Sequence, residues 1–191
     1  MIIIINGPCG IGKSTTGEHV TWKFDRAVFL DGDYIGSVHP FEIYDDTRIE
    51  HLYQTLRVLI AFHIEHGDYH NFVIPYVFEA PESLAHLRTL LADLDDEVYP
   101  FRLVCDAQVI EQRLCDSSRS PDEVAWHLDR AVELVRIQAA AARNGDLGYV
   151  MDTTSRTPAE VADAIWELVH DPDFTARYQE KHPLELSQCA S

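Results

Sequence analysis

The chain opens on four consecutive isoleucines, Ile2–Ile5, followed by Asn6 and a glycine. A short apolar run without alternation reads as a strand buried on both faces. Ala27–Leu30, Phe72–Val77, Tyr99–Val104 and Tyr149–Met151 read the same way, each β-rich and bounded by polar or glycine residues. Between them, apolar residues recur at three- and four-residue spacing. Ile49, Leu52, Leu56 and Leu59 stripe one such helix, which a Thr47/Glu50 capping box is expected to begin and Gly67 to end. Ser120 with Glu123, and Thr157 with Glu160, repeat the device, with Pro121 and Pro158 at the first helical position. The helix from Pro121 is expected to end near Asn144–Gly145. Alternation of this kind predicts an α/β fold whose parallel sheet is covered by helices on both faces.

The sequence shows no internal repeat, low-complexity tract or linker, so residues 1–170 read as one domain. Residues 171–191 fall outside the alternation, punctuated by Pro172 and Pro183, and are expected to pack over the surface or against a partner subunit. Monomer and homodimer both remain open.

Composition narrows the partners. Against 32 Asp and Glu stand 15 Lys and Arg, a formal net charge of −17. A nucleic-acid partner needs a basic face to displace counterions, and anionic lipid needs the same, so both are expected to be absent. Cys9, Cys105, Cys115 and Cys189 show no CxxC spacing, which disfavours a zinc site or disulfide framework and suits a reducing cytosol. The run Met1–Ile5 is too short for a signal peptide, no stretch approaches the ~20 apolar residues of a membrane span, and Gln188 stands where a prenylation box needs cysteine. A cytoplasmic location is the expectation.

One motif carries chemistry. Gly7-Pro8-Cys9-Gly10-Ile11-Gly12-Lys13-Ser14 fits GxxxxGK[ST], which composition alone would generate in a chain of this length with odds on the order of one in a hundred. It follows a buried strand and precedes a helical pattern. Glycines there let the backbone N–H groups turn inward onto phosphates, and the helix N-terminus adds its positive end. Lys13 is placed for the β- and γ-phosphates, the Ser14 hydroxyl for Mg²⁺, and Thr15 for the α-phosphate. Cys9 sits beside a helix N-terminus that lowers thiol pKa values. Guanine-reading and transporter-type signatures are missing: Trp22-Lys23-Phe24-Asp25 lies in the first helix, and Asp33-Tyr34-Ile35-Gly36 comes too early for a switch.

After the second strand comes Asp31-Gly32-Asp33. In extended chain, carboxylates at i and i+2 point the same way, some 7 Å apart, at a strand's carboxyl end. One such group suits a magnesium shell and the other suits proton abstraction from a hydroxyl; equally, Asp-Gly-Asp reads as a simple turn.

The phosphate loop at residues 7–14, Asp31-Gly32-Asp33, an arginine-bearing lid and a final Asp152-Thr153-Thr154 strand end together resemble the nucleoside monophosphate kinase superfamily of P-loop kinases. Within it the chain is similar to the small-molecule branch of shikimate kinase, gluconate kinase, adenylylsulfate kinase and chloramphenicol phosphotransferase, over about residues 1–170. The resemblance implies a three-layer α/β/α P-loop NTPase fold, a five-stranded parallel sheet of order 2-3-1-4-5, a lid near residues 114–122, and ATP with Mg²⁺. It implies Asp33 as acceptor-binding carboxylate and base, and Asp31 as a magnesium-shell or substrate carboxylate. By the same resemblance Arg113 packs against adenine, Arg119 is the lid arginine that meets the transferring phosphoryl group, and Arg156 lies in a loop against the adenine. Arg130 and Arg136 fall on the helix after the lid.

Three departures stand out. Pro75 replaces a Walker B acid, which leaves Ser14, Asp31 or Glu79 for metal. The shikimate arginine motif and the full gluconate kinase histidine–proline block are missing, although His39-Pro40 lies nearby. Of a nucleotide-clamping arginine pair, only Arg48 and Arg57 are candidates. Tyr34, His39, Phe41, Tyr44, Tyr76, Phe78 and Glu79 line the expected acceptor edge, a wall that reads as aromatic and acidic. The expectation is therefore γ-phosphoryl transfer from ATP to a hydroxyl of a small neutral or cationic molecule, with a nucleoside or nucleotide kinase and a non-catalytic ATP-binding regulator as alternatives. His63, His66 and His70 read as a solvated face.

Overall fold

In the computed structural model of the chain, residues 1–182 are described; expectations that fall on Pro183 and Cys189 lie outside the described residues. Five strands form one all-parallel sheet in the order β2-β3-β1-β4-β5. They are β1 (Ile2–Asn6), β2 (Val28–Phe29), β3 (Phe72–Pro75), β4 (Val98–Val104) and β5 (Tyr149–Asp152). All five runs read from the sequence are strands, with ends shifted by one or two residues. β1 lies at the centre, with Ile4 registered on Ile74 of β3 and Pro100 of β4. Pro100 is tolerated in an inner strand because the β4–β5 pairing begins only at Phe101.

The isoleucine run explains the three layers. Its side chains alternate between faces, and all four are fully buried. Ile2 and Ile4 enter a core with Leu52, Leu56 and Ile60 of α3 (Asp46–Gly67) and Leu84, Leu87 and Leu91 of α4 (Pro81–Leu91). Ile3 and Ile5 enter the opposite core with Val20 of α1 (Lys13–Thr21) and Val161 and Ile165 of α7 (Pro158–Val169). Burying each isoleucine contributes roughly 1.5–3 kcal/mol, so β1 anchors both layers at once. A short helix α2 (Gly32–Ile35) follows β2, while α5 (Ala107–Cys115) and α6 (Pro121–Ala141) flank the loop at residues 116–120.

Both Ser120/Glu123 and Thr157/Glu160 form complete capping boxes with proline in the first turn. The Thr47/Glu50 box does not form. Asp45, two residues earlier, accepts from the N–H groups of Thr47 and Arg48, and Glu50 instead meets Gln54 and His86. An aspartate ahead of Thr47 out-competes it because a carboxylate also favours the helix's positive end. Helix α8 (Pro172–Lys181) buries Phe174 and Tyr178 in the same core as α1 and α7, and Tyr178 Oη donates to Asp146 at 2.9 Å. Phe174 stacks on Phe101 and meets the Tyr149 ring edge-on. We expect Phe174→Ala to cost about 3–5 kcal/mol in denaturant unfolding; a loss below ~0.5 kcal/mol would mean that α8 is a loosely held appendage.

Candidate active site

The site is built at the carboxyl end of β1. Asn6, fully buried, ends the strand and ties three segments together. Its Oδ1 accepts from the N–H of Gly7 at 2.7 Å, the N–H of Phe78 at 2.9 Å and Gln138 Nε2 at 2.9 Å, while its Nδ2 donates to the carbonyls of Phe78 and Leu147. Neither Asn6 nor Gln138 stands out as a site residue in the sequence. The available signal is a polar residue in the fifth position of a run that otherwise buries only isoleucine.

From Gly7 the chain curls. Gly10 (φ 74°) and Gly12 (φ 102°) occupy the left-handed region that side-chain-bearing residues rarely adopt. A Cβ on Gly10 would also lie 2.6 Å from Leu114, so α5 packs directly onto the loop. Gly12 caps α1 with its backbone alone, and the first turn of α1 carries neither a capping side chain nor an acid. Its N–H groups and dipole are thus left for an anion. Lys13, 8% exposed, folds back over the loop with Nζ donating to the Pro8 carbonyl at 3.2 Å. Thr15 is exposed on the first turn.

The Asp31-Gly32-Asp33 segment is not extended chain. Asp31 caps α2, its Oδ1 accepting from the N–H groups of Asp33 and Tyr34, while its Oδ2 accepts from Ser14 Oγ at 2.7 Å. The segment is thus a turn, as an Asx cap, and the cap fixes the carboxylate that meets the phosphate-loop serine. Helix formation turns Asp33 away from the parallel arrangement, and it lines a cavity together with Lys13. Asp33 is accessible at the mouth, yet crowding by the walls raises its pKa above the ordinary carboxylate value; Lys13 opposes this and Asp31 adds to it.

That cavity has a volume of about 530 Å³ and runs from Cys9 and Lys13 past Asp33 to Tyr76, Phe78 and Glu79. A larger recess of about 840 Å³ opens between the residue 145–150 segment and α8, but no phosphate-loop residue lines it. Tyr34 is a correction: it is 82% exposed and stands outside the cavity lining, because α2 directs it to solvent. The wall is also less acidic than its sequence. Glu79 pairs with Arg130, which also holds Glu133, and Arg48 lines the cavity beside Tyr76. Arg57 instead pairs with Asp93, and Arg136 is exposed on α6.

The other arginines separate by role. Arg113 donates to the carbonyls of Ile11, Thr153 and Arg156 and to Thr153 Oγ1, which clamps the phosphate loop to the end of β5. These bonds engage both terminal nitrogens of its guanidinium. Arg119 is exposed between α5 and α6, forms no hydrogen bond or salt bridge among the described residues, and lies close enough to act on the Cys9 thiol. Arg156 is exposed in the loop after β5.

Cys9 lines the cavity, and burial raises its pKa rather than lowering it; Lys13 opposes that shift without cancelling it. The helix-end effect expected from position alone is outweighed by desolvation. Iodoacetamide is expected to label Cys9 more slowly than exposed Cys115 near neutral pH, with labelling accelerating as pH rises, followed by peptide mass mapping. Faster labelling of Cys9 would contradict this. Among the described residues, no group of three or more His, Cys, Asp or Glu side chains is placed to hold a metal ion, and no helix is long and apolar enough to cross a membrane.

The overall fold is shared with solved structures. The chain is similar to the tunicamycin resistance protein of Deinococcus radiodurans (21% identity, TM-score 0.61, covering 88% of this chain and 95% of the other). It is similar to shikimate kinase from Acinetobacter baumannii in complex with shikimate (19%, TM-score 0.60, 88% and 92%). A gluconokinase from Sinorhizobium meliloti 1021 matches at 16% identity and TM-score 0.58, over 94% and 93%. What the chain shares with these solved structures is its fold, a five-stranded all-parallel sheet of order 2-3-1-4-5 with helices around it, the α/β architecture of P-loop NTPases. By sequence, a putative adenylate kinase of Halobacterium salinarum is 35% identical over 82 residues, 42% of this chain; the match spans about half the length of that relative, 47%. No family model matches the chain.

Proposed function

We propose that the protein is an ATP-dependent phosphotransferase that moves the γ-phosphoryl group to a hydroxyl of a small molecule. One observation carries the reading: Lys13, after β1, and Asp33, after β2, line the same cavity from either side of β3. The loop amides and Lys13 hold the donor's phosphates, and Ser14 with Asp31 form the donor set for Mg²⁺. Two protein oxygens fit that ion, which keeps waters and phosphate oxygens as its remaining ligands. Magnesium, when bound there, supplies neutralising charge at the β- and γ-phosphates.

Asp33 accepts the acceptor's hydroxyl proton as its oxygen bonds to the γ-phosphorus and the bond to the β-bridging oxygen breaks, releasing ADP. Lys13, and Arg119 once the 116–120 loop closes, stabilise the spreading negative charge. The partial match to a putative adenylate kinase supports a second reading, transfer to a nucleoside monophosphate. The test is acceptor-stimulated ADP release with γ-labelled ATP. Label is expected in a phosphorylated small molecule, and its appearance only as free phosphate, whatever the acceptor, would overturn the proposal.

A further inference from the structure

The acceptor half of the cavity has a floor and a rim made of rings. Tyr53, Tyr76 and Phe78 form the floor, packed on one another with centroids 5.3–6.4 Å apart. Phe41, Tyr44 and Trp126 form the rim, and each is more than half exposed, at 55%, 65% and 52%. Folding leaves these three rings uncovered around a concave surface, where apolar area is held open for a ligand.

The two arginines in this half are already engaged. Arg48 donates Nε to the Glu42 carbonyl and Nη2 to the Ile43 carbonyl, both at 3.0 Å, and lays its guanidinium 4.6 Å from the Phe41 ring centroid. Arg130 is held by Glu79, Glu133 and the Tyr44 hydroxyl. Desolvation raises the pKa of both Tyr53 and Tyr76, so these hydroxyls stay neutral. The lining charges cancel: Lys13, Arg48 and Arg130 stand against Asp33, Asp46 and Glu79.

A phosphorylated or carboxylated acceptor therefore meets arginines already tied to backbone carbonyls and carboxylates, and Lys13 belongs to the donor's phosphates. A polyol would leave several hydroxyls facing rings that offer them no partner. We infer that the acceptor is an uncharged alcohol with a flat aromatic body, seated between the ring floor and Trp126 with its hydroxyl at Asp33. This rests on the phosphotransfer reading above and deepens it. It also replaces the sequence argument for a non-anionic acceptor: the arginines are present, but tertiary pairing has converted them into scaffolding.

The test compares matched acceptors in Mg-ATP-dependent ADP release by the full chain. Adenosine and 3-phenylpropane-1,2-diol represent uncharged aryl alcohols; AMP, shikimate and gluconate are anions, and glucose is a polyol. At least one aryl alcohol is expected to show kcat/KM ten-fold or more above every anion and glucose. Trp126→Ala, a half-exposed position, is expected to raise the aryl acceptor's KM at least ten-fold with the KM for ATP unchanged. Preference for AMP, shikimate, gluconate or glucose, or an aryl KM indifferent to Trp126, would overturn this inference while leaving the kinase reading intact. No stimulation by any of the six, with Mg-ATP still raising Tm, would overturn both.

Discussion

Lys13→Ala is expected to abolish the thermal stabilisation that Mg-ATP confers and to lower phosphoryl transfer by ~10²–10³ or more. At a nucleotide concentration about 100 times Kd, binding stabilises by about 2.7 kcal/mol, which for a chain of this size is a Tm rise of roughly 5–10 °C. The effect is large because the rest of the molecule works against it. The formal net charge of −17 repels a polyphosphate, so attraction has to be local. Among the other lysines, Lys23 is paired with Asp163 and Lys181 lies in α8, far along the fold from the loop. Lys13 is the cation that the loop itself holds over the cradle, bonded to Pro8. Differential scanning fluorimetry with and without Mg-ATP measures this directly. An undiminished shift in the variant would remove the phosphate-loop assignment.

The second large effect separates binding from chemistry. Asp33→Asn is expected to retain the Mg-ATP shift and to lose transfer by about 10²–10⁴, the usual contribution of a positioned base. Because crowding raises the Asp33 pKa, the acid limb of kcat/KM is expected to have its midpoint above the ~3.9 of an ordinary aspartate. That limb should be missing from the residual activity of the variant. Folding raises this pKa, so the stability that the group contributes is fully present below the unfolded value and is lost as pH rises through the folded one. At neutral pH the charged carboxylate is thus a cost to the fold, and the ligand-free Asp33→Asn protein is expected to melt higher than its parent. Retained transfer would reject Asp33 as the base; a lower melting temperature would reject its raised pKa.

Much of this site is legible in the amino-acid order, for physical reasons tied to particular residues. The isoleucine run forces a doubly buried strand, since no other element buries four consecutive β-branched residues on alternating faces. The glycines at positions 10 and 12 announce backbone that only glycine adopts readily. The two complete capping boxes form because their hydrogen bonds close within three residues. Where a local rule fails, another local group wins: Asp45 displaces Thr47 as the cap of α3.

The sequence by itself determined the strands, the parallel α/β class, the phosphate loop and the position of Lys13, because each depends on propensity and spacing over a few residues. Tertiary structure alone decided what the charges mean. Arg130 meets Glu79 across 51 positions, Asn6 meets Gln138 across 132, and Arg113 reaches Ile11 across 102. Pairings at that separation leave no periodic trace in a sequence. They turned an apparently acidic cavity wall into a charge-balanced one, made Arg113 a clamp, and drew α8 into the core. Local geometry shaped the phosphate-loop end of the cavity, and long-range hydrogen bonding and ion pairing decided which side chains are left uncommitted at the other end.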